Sequence, residues 1–356
     1  MNKTVILGMS GGVDSSVAAY LLKKEGYNVI GVTMQIWQKE DRDVCETNNG
    51  CCGSKATADA RRVADSLDIP YYVMNFREEF QENVIDYFIE EYEKGVTPNP
   101  CIACNRYVKW ESFLKKAMGL GADFIATGHY ANVEKLENGR YTIKTSVTDK
   151  KDQTYALYNL TQYQLQHTLM PIGKYRKDEI REIAAKIGLV VANKPDSQDI
   201  CFIPDNDHGR FIRENSSKEI LKGNFVDKEG NVLGEHKGII NYTIGQRKGL
   251  GIALGKRAFI TKIDTDKNEI VIGDNEDLFE SIAYADKVNY MSVESFEKDK
   301  VYKGKIRYAA KPADCYVEVN DGIMKVTFIE PQRAITKGQA IVIYDGEYVA
   351  GGGTLI

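Results

Sequence analysis

The sequence predicts an α/β protein: an N-terminal doubly wound parallel sheet, followed by β-rich central and C-terminal parts that resemble small β-barrels. Three observations carry this. Short apolar runs alternate with segments of helical periodicity through about residue 135. A Gly- and Ser-rich turn, "GMSGGVDSS" (8–16), joins the first apolar run directly to the first helical segment. After about residue 205 helical periodicity fades, and short β-rich runs separated by Gly, Asn and Asp take over.

Taken in order, "TVILG" is a short buried strand, and "DSSVAAYLLKKEG" is a helix with Val17 and Leu21 on one face and Gly26 as its stop. "YNVIGVTM" is a second strand. Ala60, Val63, Ala64 and Leu67 recur at helical spacing. "YYVMNF" is a third strand, residues 78–94 a helix, "NRYVKWESFLKKAMGLG" a helix over 105–119, and "DFIATGHYA" a return to strand. Such alternation builds a parallel sheet with helices on both faces, and ligands bind such sheets at the C-terminal ends of their strands. "VEKLENGRYTIK" reads as a hairpin whose turn takes its positive φ angles from Asn138-Gly139. A further helix spans 176–188, with Ile180, Ile183, Ala184 and Ile187 on one stripe. Beyond it, "FITKIDTDKNEIVIG", "CYVEVNDGIMKVTFIEP" and "AIVIYDGEYVAGG" have the strand and turn spacing of small barrels. Boundaries near 205 and 283 give three parts: 1–205, 206–282 and 283–356.

A chain of 356 residues, 43% hydrophobic and 28% charged, suits a soluble protein of two or three domains. No window approaches 18 uninterrupted apolar residues, and the apolar start is too short for a signal peptide, so a cytoplasmic protein with no membrane partner is expected. The net charge of −4 argues against indiscriminate nucleic-acid binding. Two segments are nonetheless basic without acidic residues: His236–Ile263 (Lys237, Arg247, Lys248, Lys256, Arg257, Lys262) and Val301–Ala313 (Lys303, Lys305, Arg307, Lys311). The seven cysteines cluster as Cys45, Cys51 and Cys52, then Cys101 and Cys104, with Cys201 and Cys315 alone. In a reducing compartment such clusters point to metal binding or catalysis, not to disulfides.

The turn at 8–16 is a phosphate cradle. Gly11 and Gly12 let backbone amides close on an anion, Ser10, Ser15 and Ser16 add hydroxyls, and the helix beneath adds its dipole. The spacing is neither that of a Walker A loop nor that of the dinucleotide-binding fingerprint. Asp14 would repel a phosphate, so a Mg2+ ion is expected between them. The order S-G-G-x-D-S resembles the PP-loop of ATP pyrophosphatases, which cleave ATP between its α and β phosphates.

The stretches "GMSGGVDSS", "TPNPCIACN", "ATGHYA", "KDQTYALY", "DSQDICFIP" and "YTIGQRKGLGI" occur in the order seen in the MnmA family, the tRNA-specific 2-thiouridylases. The resemblance runs from residue 5 to about 255, with weaker matches ("IRYAAKPA", "PQRAITKGQA") to the C-terminus. It implies that Gly8, Met9, Ser10, Gly11, Gly12, Val13, Asp14 and Ser15 bind ATP with Mg2+, helped by Met34 and Gly128. It implies that the wobble uridine of a tRNA is adenylated on its C2 oxygen, that a persulfide on Cys201 delivers sulfur, and that Cys104 is the second catalytic thiol. Asn99, Pro100 and Cys101 match the positions that meet the target base. Lys151, Asp152, Gln153, Arg307 and Tyr308 match tRNA-contacting segments, and His129 and Gln339 match further contacts. The sulfur would come from an upstream donor such as a cysteine desulfurase or a sulfur relay protein.

The residues themselves agree with such chemistry. Adenylation turns a poor leaving group into a good one, and a thiolate is a soft nucleophile. Cys104 directly precedes the helix predicted at 105–119, whose N-terminus would favour its thiolate. Lys151 and Arg307 suit phosphates, and Tyr308 suits a stacked base. The family's commonest pattern has aspartate where this chain has Cys101. Three readings follow. Cys101, Cys104 and Cys201 ligate a [4Fe–4S] cluster; or Cys101 is an auxiliary thiol beside a persulfide route; or Cys51, Cys52, Cys101 and Cys104 hold zinc. Two rival functions also fit a PP-loop: a synthetase adenylating a small-molecule carbonyl, and a non-catalytic ATP- and RNA-binding module.

Overall fold

A computed structural model describes residues 2–36, 54–148, 151–194, 200–252 and 254–356. Its N-terminal sheet is built from β1 (Thr4–Gly8), β2 (Asn28–Gln35), β3 (Tyr71–Asn75), β4 (Phe124–Ala126) and β7 (Thr168–Leu169), in the order β3-β2-β1-β4-β7, all parallel. Val5, Ile6 and Leu7 of the central β1 are buried on both faces, which is why that strand reads as an unbroken apolar run. Helices α1 (Val13–Lys24), α2 (Ser54–Ser66) and α6 (Lys177–Lys186) pack on one face through Val17, Val63 and Ile180. The other face carries α3, made of Arg77–Phe80, Gln81–Asp86 and Tyr87–Glu93, and α4, made of Pro100–Ala103, Cys104–Phe113 and Leu114–Gly119, through Phe76, Phe88, Val108 and Trp110. Helices on both faces of a parallel sheet are the doubly wound arrangement read from the sequence.

Helix α4 is continuous over Pro100–Ala103, a π-helical stretch Cys104–Phe113, and Leu114–Gly119. It therefore starts earlier than the predicted residue 105. Asn99 is the N-cap, its Oδ1 accepting from the Ile102 amide at 3.2 Å, and Pro100 takes the first helical position, where its missing N–H costs nothing. Cys104 thus lies inside the helix. Cys101, in the first turn, is the thiol beside the helix N-terminus.

The hairpin β5 (Asn132–Lys135) and β6 (Tyr141–Lys144) turns at Gly139, φ +84°. A short helix, α5 (Gln162–Gln166), precedes β7, and α7 (His208–Asn215) leads out of the N-terminal part. The central part is a small sheet of β8 (Gly223–Val226), β9 (Val232–His236), β10 (Phe259–Asp264) and β11 (Glu269–Gly273), in the order β10-β11-β8-β9. The C-terminal part closes into a six-stranded antiparallel barrel: β12 (Phe279–Tyr290), β15 (Ile323–Arg333), β14 (Ala313–Asn320), β13 (Tyr302–Lys305), β16 (Ala340–Asp345) and β17 (Tyr348–Leu355), which pairs back with β12. The β5–β6 hairpin joins this sheet through β17, with Lys144 opposite Tyr348. One apolar core runs from α3 and α4 through Tyr155 and Tyr158 to Val342, Tyr344 and Val349 of the barrel, so the barrel is seated against the N-terminal part. Among the described residues no helix is long and apolar enough to cross a membrane.

Candidate active site

The phosphate loop lies at the C-terminal end of β1. Gly11 has φ +69°, and a Cβ there would stand 2.2 Å from the Ala56 carbonyl oxygen of α2. Gly12 precedes α1 and supplies no side-chain cap, so the first amides of that helix stay open to an anion. The Ser10 amide donates to Ser15 Oγ at 3.2 Å, and Ser16 Oγ donates to the Gly12 carbonyl at 2.8 Å, fixing the curve of the loop. Met9 and Val13 are buried, and the Met9 carbonyl accepts from Thr33 Oγ1 of β2 at 2.7 Å. Met34 packs beside Gly8 at the end of β2. On the other side Gly128, just after β4, lies so close that a Cβ there would be 2.8 Å from the Ser15 amide nitrogen. All ten residues assigned to the nucleotide from the sequence therefore belong to one wall.

Asp14 departs from the expectation. Lys177 Nζ, from the first turn of α6, donates to both of its carboxylate oxygens, at 2.8 and 2.9 Å, and Tyr130 Oη donates to Oδ1 at 2.7 Å. A carboxylate paired in this way no longer repels a phosphate, so the reason for placing Mg2+ at Asp14 is removed in this arrangement. Lys194 Nζ donates to the Gly11 carbonyl at 3.0 Å and to Asp59 Oδ2 at 2.9 Å. Lys177 and Lys194 put two cations beside the loop from 163 and 183 residues away, a distance at which a reading of local pattern has no signal for them.

The thiols stand on the neighbouring wall. Cys101 is exposed, and Cys104 and Cys201 are half-buried. Cys104 and Cys201 border the same apolar core, with Ile102, Tyr107 and Ile200. Cys315 is buried in the barrel, where burial pushes its thiol up to about 12, so it is not a nucleophile. Among the described residues no group of three or more His, Cys, Asp or Glu is placed to hold a metal ion, although Cys101, Cys104 and Cys201 are all described. Cys45, Cys51 and Cys52, and with them the four-cysteine zinc reading, lie outside the described residues.

Nucleotide and thiol walls meet through β4 and α4. His129, the residue after Gly128, is 8% exposed and packs on Trp110 of α4, ring centroids 5.5 Å apart.

Family models match residues 3–205 as a tRNA methyl transferase HUP domain, 209–274 as a tRNA methyl transferase PRC-barrel domain and 280–355 as an aminomethyltransferase beta-barrel domain. The chain is 61% identical over 355 residues to a protein of Lachnoclostridium phytofermentans named tRNA-specific 2-thiouridylase MnmA, covering 99% of each chain. It is 59% identical to the protein of the same name from Clostridioides difficile, covering 100% of this chain and 98% of that one. The chain belongs to the tRNA-specific 2-thiouridylase family.

Placed in a 2-thiouridylase, the positions matched to tRNA contacts divide into two groups. One group faces the open side of the thiol wall. Tyr308 is 47% exposed, with Lys305 Nζ 5.4 Å from its ring centre and Tyr155 edge-on at 6.2 Å. Burial raises the Tyr308 hydroxyl's pKa, and Asp152, Lys151 and Cys101 lie near enough to act on it electrostatically. Barrel, 151–153 loop and first turn of α4 therefore converge. The second group is committed to protein partners. Gln339 Nε2 donates to the Thr97 and Pro98 carbonyls at 2.8 and 3.3 Å. Asp152 accepts from the Ser146 and Thr154 amides at 2.8 and 3.1 Å. Gln153 Oε1 accepts from the Tyr130 amide at 2.9 Å, and Arg307 Nη1 donates to the Arg333 carbonyl at 3.2 Å. His129 is buried. Asn99 and Pro100 shape the helix start. In this arrangement these seven side chains or rings build the surface, while Cys101, Lys151 and Tyr308 present it.

Proposed function

We propose that this chain is a cytoplasmic, ATP-dependent enzyme that replaces the C2 oxygen of the wobble uridine of tRNA with sulfur. The observation that carries the proposal is the shared wall: Gly128 packs on the Ser15 amide, and the next residue, His129, packs on the helix that holds Cys101 and Cys104. An enzyme that activates a carbonyl with ATP and then attacks it with sulfur needs these two groups side by side. Two of the matched domain descriptions name methyl transfer, but an open phosphate loop beside thiols favours the thiolation named by the full-length relatives.

The C2 oxygen of the flipped uridine attacks the α-phosphorus, the bond to the β-phosphate breaks, and pyrophosphate leaves with that electron pair. Lys177 and Lys194 flank the loop where the leaving charge collects, and a Mg2+ ion carried by ATP would share that charge. The terminal sulfur of a Cys201 persulfide, charged by an upstream donor such as a cysteine desulfurase or a relay protein, attacks C2, and AMP leaves with the former C2 oxygen. Cys104 thiolate then attacks the Cys201 sulfur. The S–S bond to the transferred sulfur breaks, 2-thiouridine is released, and a Cys104–Cys201 disulfide remains for an external thiol to reduce. Cys101 is an auxiliary thiol at the edge of the base pocket.

The test is to supply ATP, Mg2+, a sulfur source and unmodified tRNA, and to measure 2-thiouridine by mass spectrometry. Cys201→Ser and Cys104→Ser should each abolish product; full thiolation by Cys201→Ser defeats the mechanism. Pyrophosphate release should require tRNA. Release without RNA, indifferent to both thiols, would instead identify a small-molecule synthetase.

A further inference from the structure

Lys109 is a cation with no counter-charge among the described residues. It projects from α4 between the two walls. Its Nζ donates to Asn105 Oδ1 at 2.8 Å and faces His129 Nε2 at 3.5 Å. Both partners are neutral. Burial holds the His129 pKa well below its ordinary value, with Lys109 pushing the same way, so the ring is uncharged at neutral pH. A lysine ammonium can only donate. Its approach to Nε2 therefore puts the ring proton on Nδ1, which donates to Thr127 Oγ1 at 2.7 Å. Asn105 is fixed in turn, its Nδ2 donating to the Ala156 carbonyl at 2.9 Å. No carboxylate of the described residues pairs with Lys109. Lys177 and Lys194 differ in this respect, being bound to Asp14 and Asp59. A half-buried ammonium held by neutral groups is incomplete, because partly desolvated charges are stable when paired.

The missing anion follows from its place. Gly128 lies against the Ser15 amide, and Lys109 touches the residue after Gly128. Lys109 also lies on the helix of Cys104, five residues further on. In the π-helical stretch Cys104–Phe113 the backbone bonds span five residues, so these two side chains share a face. The adenylated intermediate joins a phosphorus held by the loop to a carbon attacked by the thiols. Its α-phosphate must therefore sit between loop and thiol helix, where Lys109 points. We infer that Lys109 is the α-phosphate-binding cation of the site, oriented by Asn105 and the neutral His129, and that it pairs with the negative charge of ATP, of the adenylate and of departing AMP. The inference rests on the thiolation reading, which places the α-phosphate between the loop and the thiols.

Isothermal titration of the intact protein with adenosine, AMP and pyrophosphate separates the contributions. The wild type should bind AMP more tightly than adenosine. Lys109→Met should lose AMP affinity about tenfold or more while adenosine and pyrophosphate binding stay unchanged, and Lys109→Arg should recover part of the loss. Where methionine lowers the melting temperature, Lys109→Gln serves in its place. Unchanged AMP affinity in a folded variant overturns the inference, and so does an equal fall for all three ligands, which would mark a general distortion of the site. None of these titrations uses tRNA or sulfur, so their failure is distinct from a failure of thiolation.

Discussion

Gly11 and Gly12 stand side by side in the phosphate loop and answer to different demands. Gly11 adopts a left-handed backbone, and any Cβ would run into the Ala56 carbonyl of α2. Gly12 has an ordinary φ of −98°, and its nearest neighbour would be Ser10 Oγ at 3.4 Å. Gly11→Ala should therefore destabilise the protein by about 2 kcal/mol or more in urea unfolding, while Gly12→Ala should cost less than about 0.5 kcal/mol. A loss of nucleotide binding in the second variant would then report the approach of phosphate to the loop and not a damaged fold; equal costs for the two variants would refute this division. A second residue-level consequence concerns His129. Burial, with Lys109 pushing the same way, holds its folded pKa well below the ordinary value of 6.5. Below about pH 6.5 the unfolded chain therefore takes up a proton that the folded chain refuses, and stability falls as pH drops toward the folded pKa. His129→Gln removes that contribution. The urea midpoint should fall less in this variant than in the wild type between about pH 7.5 and about pH 5.5; parallel falls would show that His129 titrates normally.

At the scale of elements, α4 separates what sequence pattern conveys from what it does not. The parallel strands were legible because burial on both faces demands unbroken apolar runs, as in Val5–Leu7. The phosphate loop was legible because its glycines and serines are contiguous. The start of α4 was not, since "TPNPCIACN" contains two prolines and reads as a turn. The second proline instead occupies the one helical position that tolerates it, behind the Asn99 cap. The lysines that surround the loop were also hidden: Lys177 meets Asp14, and Lys194 meets Asp59, only after the sheet has assembled. His129 and Gln339, matched to RNA contacts by resemblance, proved to be held by the protein. The helix start yields a prediction of its own. Asn99→Ala removes the acceptor for the Ile102 amide and should cost about 1 kcal/mol, measured by thermal unfolding, with faster amide exchange confined to residues 101–104. Unchanged exchange there would mean that the cap does not hold the first turn.

At the scale of the whole molecule, the three parts meet at Thr97, two residues before the cap of the thiol helix. The Thr97 amide donates to the Lys337 carbonyl of the barrel at 3.1 Å, its carbonyl accepts from Gln339, and its hydroxyl lies 3.1 Å from Thr243 Oγ1 of the central part. Gly338 makes this fit possible. Its φ is +86°, and a Cβ there would stand 2.4 Å from Val96 Cγ1 and 2.9 Å from the Thr97 carbonyl oxygen. The barrel therefore presents Tyr308 and also fixes the segment that launches Cys101 and Cys104. The nucleotide loop takes no part in this junction. Gly338→Ala should push Thr97 away and misplace the thiol helix against a phosphate wall that is itself undisturbed. The expected result is a fall in tRNA thiolation of about tenfold or more with AMP affinity unchanged, because small displacements of reacting groups are costly. Gln339→Ala, which removes two hydrogen bonds and adds no clash, should show the same pattern at about threefold. Loss of AMP binding in step with thiolation would mean that the junction supports the whole N-terminal part. Undiminished thiolation in both folded variants would mean that the barrel's grip on Thr97 has no part in placing the thiols.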